Sequence, residues 1–275
     1  MRFAIWAGLA LLLAGLGYWL FVLTEGVYLG PRVVRLLYDW GAKNYDEVKE
    51  FGVAEDAWHL AIPLERRLRG WRCPPILDVA TGTGRMLLAI LRRPEFKGWL
   101  VGLDASLPML RVAREKARGY RGRASLLWKD ASWLPFADAS FAAVMCIEAL
   151  EFMPRQKFSL GEMARVLAPG GVLLLSNRVG RDALFFPRRA FERGELKGLL
   201  ASLSLDDVRV KRWQQCYDLV WAKKRGSPDE APKNLLEVLV CPRCGTSLAR
   251  RSEAMSCLNC DRSYPFVDGV LSLEV

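Results

Sequence analysis

Residues 76–86, ILDVATGTGRM, constrain this chain more than any other stretch. The apolar run reads as a buried strand, Gly82 and Gly84 supply a tight turn, and a helix opens at Arg85. A strand that passes through a glycine turn into a helix is built to hold a nucleotide-like ligand against backbone N–H groups. The dinucleotide fingerprint would need a third glycine where Leu87 stands. Asp78, inside the strand, would repel a pyrophosphate but suits a ligand that presents an ammonium group. About 20 residues past Gly84 the run WLVGLDAS brings Asp104 to the position from which a carboxylate accepts both ribose hydroxyls. S-adenosylmethionine, with its amine, its cationic sulfur and its free ribose hydroxyls, fits both acids.

Four blocks in order extend the pattern: LDVATGTG, GLDAS with Met109 following, KDASWLPFADASF, and ARVLAPGGVLLLS. On these blocks, residues 76–171 resemble the class I S-adenosylmethionine-dependent methyltransferases, in the broad group that includes the ubiquinone and menaquinone ring methyltransferases. The resemblance implies an α/β fold with a Rossmann-like seven-stranded sheet. It implies cofactor contacts from Asp78, Ala80, Thr81, Gly82 and Gly84 in the first block, and from Asp104, Ala105 and Met109 in the second. Asp130 and Ala131 would lie against the adenine, with Ile147 nearby at the end of the fourth strand. The segment RLLYDWGAKNYDEV resembles the cap that such enzymes place over the cofactor, with Tyr45 and Asp46 at its centre.

Expected strands are 76–79, 99–103, 125–128, 143–147 and 172–176, and expected helices are 85–91, 109–117 and 158–167. This alternation predicts a parallel sheet with right-handed crossovers. Strands at 208–213 and 217–222 lie too close together for a helical crossover and predict an antiparallel hairpin at the sheet edge. The segment 183–203 reads as helical with interleaved aromatics and arginines, packed on the sheet or dipping toward lipid.

The N-terminus carries a different signal. Residues 3–23 hold no charged side chain, and at about 1.5 Å per residue a helix of this length spans roughly the 30 Å of a bilayer core. A single-pass anchor over residues 1–25 is expected. Its apolar run exceeds the usual secretory core of about 7–15 residues. Arg2 alone precedes the span, whereas Arg32, Arg35 and Lys43 follow it, which favours a cytoplasmic body. The dispersed Cys73, Cys146 and Cys216 suit a reducing compartment. The formal charge of +10 would hold the body against an anionic leaflet; nucleic-acid binding is the rival use of the same charge.

After the methyltransferase-like region (26–225), the polar, proline-containing segment 226–234 reads as a linker. Then come Cys241 and Cys244 as one C-x-x-C pair and Cys257 and Cys260 as another, with twelve residues between the pairs. Four thiolates satisfy a tetrahedral Zn²⁺ with no open position, so the site is structural. A hairpin is expected across 248–255. Residues 235–275 resemble the small zinc-binding domain called Trm112-like, a partner of methyltransferases, here fused in the same chain.

Methyl transfer is an in-line displacement that needs alignment and water exclusion. A proton on an oxygen or ring-carbon acceptor would call for a base. Glu148 and Glu151 follow the fourth strand, at the edge where ligands bind in parallel sheets, and His59 is the one histidine. The anchor points to a lipophilic acceptor: a quinone, an isoprenoid or a lipid. RNA or a translation-related protein is the second acceptor class, and a non-catalytic cofactor-binding assembly factor the third.

Overall fold

The computed structural model describes residues 2–49, 52–120, 122–227, 232, 234–251 and 253–274. Five helices precede the sheet: α1 (Arg2–Tyr18), α2 (Pro31–Gly41), α3 (Tyr45–Lys49), α4 (Val53–Asp56) and α5 (Ile62–Arg67). Alternating elements follow as β1 (Pro75–Val79), α6 (Arg85–Leu91), β2 (Trp99–Asp104), α7 (Leu107–Lys116), β3 (Ala124–Trp128), β4 (Phe141–Cys146), α8 (Gln156–Val166) and β5 (Leu167–Arg178). Then come α9 (Arg193–Ser202), β6 (Leu205–Trp213) and β7 (Tyr217–Lys224), and four short strands, β8 (Leu248–Arg251), β9 (Ala254–Cys257), β10 (Ser263–Val267) and β11 (Val270–Ser272).

All strands belong to one sheet in the order β6-β7-β5-β4-β1-β2-β3-β11-β10-β9-β8. β1 lies between β4 and β2, parallel to both, and the chain direction of travel reverses there. Ligands bind outside the carboxyl ends of the strands at such a switch point. β6 and β7 form the expected antiparallel hairpin, with β7 also antiparallel to β5. Strands β1 and β4 are buried along their whole length, as expected for strands covered by helices on both faces.

Two features depart from expectation. The segment 183–203 is not one helix: α9 occupies only Arg193–Ser202, and Asp182–Phe185 is a short 3-10 turn. Pro187 explains the break, since it lacks an N–H and its ring clashes with the preceding helical turn. The second departure concerns the cysteine-rich end. It was expected as an appended unit beside a seven-stranded sheet, yet β11 pairs in parallel with β3 through Leu271 and Leu127, and Ser272 and Trp128. A second seam joins Phe136 to Leu239. Leu239, Cys241, Met255, Tyr264 and Leu271 share one apolar cluster with Leu77, Val101 and Leu127. Residues 228–231 and 233 of the expected linker, and Ser252 of the expected hairpin, lie outside the described residues; β8 and β9 do pair on either side of Ser252.

Arg2–Leu23 is one helix of 22 residues, long and apolar enough to cross a membrane, with none of its span buried against the body.

Candidate active site

The carboxyl ends of β1, β2 and β4 open into a cleft of about 540 Å³. Its floor is the loop after β1. Gly82 and Gly84 have φ of 54° and 82°, a left-handed conformation open to glycine at little cost. Gly84 is needed for a further reason: a Cβ there would stand 3.1 Å from the Cβ of Ala113 on α7. Ala80 also takes a positive φ, 58°, and this turn directs the backbone away from Asp78.

Asp78 is 2% exposed and accepts a 2.6 Å hydrogen bond from the Thr81 hydroxyl. Loss of solvent pushes its carboxyl up to about 7, against the opposing pull of the Thr81 bond. Asp104 accepts from the backbone N–H of Gly82 at 2.8 Å on one oxygen and from that of Ser106 at 2.8 Å on the other. Desolvation raises it to about 6, with those N–H groups acting in the opposite direction. Each oxygen keeps a lone pair for a ligand hydroxyl. Two desolvated acids with no ion pair among the described residues fit a ligand that brings an ammonium group and paired hydroxyls, so the donor set matches S-adenosylmethionine.

Tyr45, Asp78, Ala80, Thr81, Gly82, Asp104, Ala105, Asp130, Ala131 and Ile147 line the cleft. Gly84 and Met109 do not. Gly84 begins α6 beneath the loop, and Met109 is fully buried, its N–H bonded to the Ser106 hydroxyl that caps α7. Asp130 turns part of its carboxylate to the N–H of Ser132 and to Lys129.

The three base candidates separate. Glu148 lines the cleft with a φ of 54°, its N–H bonded to the Ser176 hydroxyl at 2.6 Å. Its carboxylate receives Arg85 at 2.8 Å, while the other side of that guanidinium grips Asp56 at 2.6 and 2.8 Å. Glu151, three residues on, points the other way. It is 1% exposed, paired with Arg178 at 2.9 Å and with the Tyr217 hydroxyl at 2.5 Å, and is absent from the cleft wall. His59 is exposed on the turn between α4 and α5, also outside the wall.

Several cleft residues escaped the sequence reading: Arg35 and Tyr38 on α2, Arg85, Phe152 and Glu274. The rings of Tyr38 and Tyr45, and of Tyr38 and Phe152, stand with centroids 5.8 Å apart. Phe152 meets Phe186 edge-on at 6.2 Å. Glu274 reaches the cleft because the N–H of Leu273 bonds the carbonyl of Trp128 at 3.0 Å, carrying the chain from β11 past the end of β3. There Glu274 pairs with Arg35 at 3.1 Å. Only the interleaving of aromatics with acids in the cap segment hinted at any of these.

In the cysteine-rich end, the sulfurs of Cys241, Cys244, Cys257 and Cys260 all lie within 4.8 Å of one another, with Cys241 to Cys260 at 3.6 Å and Cys244 to Cys257 at 3.4 Å. Four thiolates around Zn²⁺ at about 2.3 Å would stand roughly 3.8 Å apart, so this cluster fits the ion.

Residues 76–171 match the family described as methyltransferase domain, and residues 233–269 the Trm112p-like proteins. A demethylmenaquinone methyltransferase of Porphyromonas gingivalis is 39% identical over 102 residues, 36% of this chain and 42% of the relative. A ubiquinone/menaquinone biosynthesis C-methyltransferase of Syntrophotalea carbinolica is 35% identical over 151 residues, 54% of this chain and 62% of the relative. A malonyl-acyl-carrier-protein O-methyltransferase of Xylella fastidiosa is 36% identical over 123 residues, 44% of this chain and 40% of the relative. The chain thus spans about half the length of the curated relatives it matches. Among solved structures, a chain from a complex of the Haloferax volcanii Trm112 methyltransferase activator with a methyltransferase superposes with a TM-score of 0.53 at 20% identity, covering 69% of this chain and 98% of that one. The cyclase SpnF gives 0.53 at 20% identity, covering 62% and 81%. Residues 76–171 therefore form a methyltransferase domain similar to those of the menaquinone and ubiquinone methyltransferases, and residues 233–269 match the Trm112p-like proteins, with four cysteines that suit a structural zinc.

Proposed function

We propose that this protein is a membrane-anchored methyltransferase that acts on a lipophilic small molecule, a quinone, isoprenoid or lipid, with its catalytic body on the cytoplasmic side. The observation that carries the reading is that one cleft combines the two desolvated acids with a wall of aromatic rings, Tyr38 and Tyr45 from a cap that follows an apolar 22-residue helix and Phe152 from the turn after β4. Quinone methyltransferases among the relatives support a lipophilic acceptor.

When bound, S-adenosylmethionine supplies an electrophilic methyl group on a cationic sulfur. Asp78 would hold its amine end and Asp104 its ribose, while the aromatic rings would exclude water and offer faces to a cation and to a flat acceptor. Arg85 engages one carboxylate oxygen of Glu148 at 2.8 Å, so Glu148 is held at the cleft wall in a position to orient an acceptor hydroxyl. Burial and the nearby acids raise the Tyr45 hydroxyl well above its ordinary range, so it stays a neutral donor. An acceptor whose ring carbon is already made nucleophilic by electron donation from its hydroxyls, as in a hydroquinone, suits this set.

A second reading, methylation of RNA or of a translation-related protein, draws on a groove of about 640 Å³ between the β2–β3 end of the sheet and the Trm112-like domain, where Lys97, Arg114, Arg118, Arg123 and Arg250 face one carboxylate, Glu115. The test is incubation of detergent-extracted protein with methyl-labelled S-adenosylmethionine and a membrane fraction, followed by solvent partition. Label in the organic phase is expected; label confined to protein or RNA would replace the first reading with the second.

A further inference from the structure

The foot of α1 is joined rigidly to two segments that carry exposed apolar side chains. Trp19 stacks on Tyr28 at 4.9 Å, the Tyr28 hydroxyl donates to the carbonyl of Pro187 at 2.9 Å, and Arg189 lies 6.0 Å from the Tyr28 ring. On the other side Glu25 accepts from the Tyr38 hydroxyl at 2.6 Å, and Gly26 sits so tightly on α2 that a Cβ would stand 3.0 Å from Val33 and Leu37. The helix and the body therefore do not meet through a loose tether.

On α2 the outward stripe at four-residue spacing is Arg32, Leu36 and Trp40; Leu36 is 66% and Trp40 88% exposed. A solvent-facing helix stripe is normally polar. In the segment joined to Tyr28, Leu184 is 78% and Phe185 42% exposed. Arg32, Arg181 and Arg188 are exposed beside them and have no ion pair among the described residues. Both segments also border the cleft. Arg32 and Arg35 line it, and Arg189 donates to the carbonyl of Met153 at 3.0 Å while Phe186 packs against Phe152.

We propose that Leu36 and Trp40 of α2, together with Leu184 and Phe185, form a face that seats on an anionic bilayer leaflet around the foot of α1, so that the mouth of the cleft opens onto lipid. The inference rests on the proposed reading of Arg2–Leu23 as a span. Exposed apolar side chains with neighbouring exposed arginines, which have no ion pair among the described residues, next to a helix long enough to span, complement a leaflet with acidic headgroups. A lipophilic acceptor would then enter the cleft sideways without crossing water.

The test is amide hydrogen exchange on the full-length, zinc-loaded protein in three settings: dodecyl maltoside, phosphatidylcholine nanodiscs, and nanodiscs containing phosphatidylglycerol. Exchange over residues 29–41 and 182–189 is expected to slow on the order of tenfold in the anionic discs relative to detergent, and less in zwitterionic discs. The double variant Leu36→Asp with Leu184→Asp should lose that slowing. Equal exchange in detergent and discs would overturn the seat, and equal slowing in both kinds of disc would overturn the anionic surface. Slowing that appears only with two proteins per disc would assign the face to a second copy instead. Resistance to alkaline carbonate extraction reads the anchor separately, and methyl label reads the acceptor, so a failed seat, a failed anchor and a failed acceptor give different results.

Discussion

The two edges of the central seven strands differ: β6 is left as an open edge, and β3 is covered. At one edge, β6 and β7 are a sequence-local hairpin of nine and eight residues, with β7 buried over most of its length and β6 alternating toward solvent. At the other, β3 is covered by β11, a three-residue strand more than 140 positions away in sequence. A strand that short gains little from its own pairing, and the four-cysteine cluster behind it is what holds the covering ribbon in shape. An exposed edge strand invites association with other chains. One edge is thus a local hairpin whose outer strand turns alternate side chains to solvent, and the other is covered by a ribbon that packs on the core and carries the four-cysteine cluster.

Removing zinc is the strongest way to break this comparison. Chelation, or Cys244→Ser, is expected to release the ribbon and uncover β3 while sparing the β6–β7 edge. Structural zinc sites contribute on the order of 10 kcal/mol to folding of small domains, so a melting temperature lower by more than about 10 °C with aggregation is expected in differential scanning fluorimetry. An unchanged melting curve after verified metal loss would refute the asymmetry.

The next effect concerns the cleft alone. Asp104→Asn keeps an acceptor for only one of the N–H groups of Gly82 and Ser106 and removes the charge, so cofactor affinity measured by calorimetry should fall about 10- to 100-fold. Melting of the cofactor-free variant should change little, in contrast with the cysteine variant. Comparable losses in both readouts would mean that Asp104 is a structural acid rather than a ligand.

A pH series sharpens the same point. Asp78 at about 7 and Asp104 at about 6 bind protons more tightly in the folded chain than in the unfolded one, where an aspartate titrates near about 3.9. Their burial therefore opposes folding at neutral pH, and the cofactor-free protein gains stability from these two acids as pH falls from about 7 toward about 4. Cofactor binding, which uses the ionised forms, weakens across that interval. Titration calorimetry and melting curves run side by side should move in opposite directions; parallel movement would contradict the assignment.

The smallest effect is expected at the contact between the two regions. Arg35 and Glu274 are 41% and 29% exposed, and a pair of that exposure contributes under about 1 kcal/mol. Glu274→Gln should move the melting temperature by less than about 3 °C and raise the cofactor dissociation constant a few-fold at most.

The parts of this molecule legible in its sequence are those written over short distances. The β1 strand, its glycine turn and the two acids follow from local pattern, as do the β6–β7 hairpin and the paired C-x-x-C motifs. Pairings across the chain were not legible. Glu148 and Glu151 look equivalent in EALEFMP, but they sit on a turn that sends one to the cleft and the other to Arg178 and Tyr217. Arg85 read only as the start of a helix, since its partners Asp56 and Glu148 lie 29 and 63 positions away. Pro187 was visible, yet the interleaved aromatics and arginines around it suggested a helix that the proline forbids. The pairing of β11 with β3 had no local signal at all.

The contact between Arg35 and Glu274 spans 239 positions, and that distance orders events during synthesis. At about 5–20 residues per second, α2 leaves the ribosome roughly ten to fifty seconds before its partner at position 274. All four cysteines are made before that partner too. The nascent cap lacks its Glu274 contact until the cysteine-bearing ribbon has been made and can fold against β3. The order of synthesis thereby leaves the contact between the two regions to form last, after the cleft's acids, its glycine turn and all four cysteines are in place in the chain.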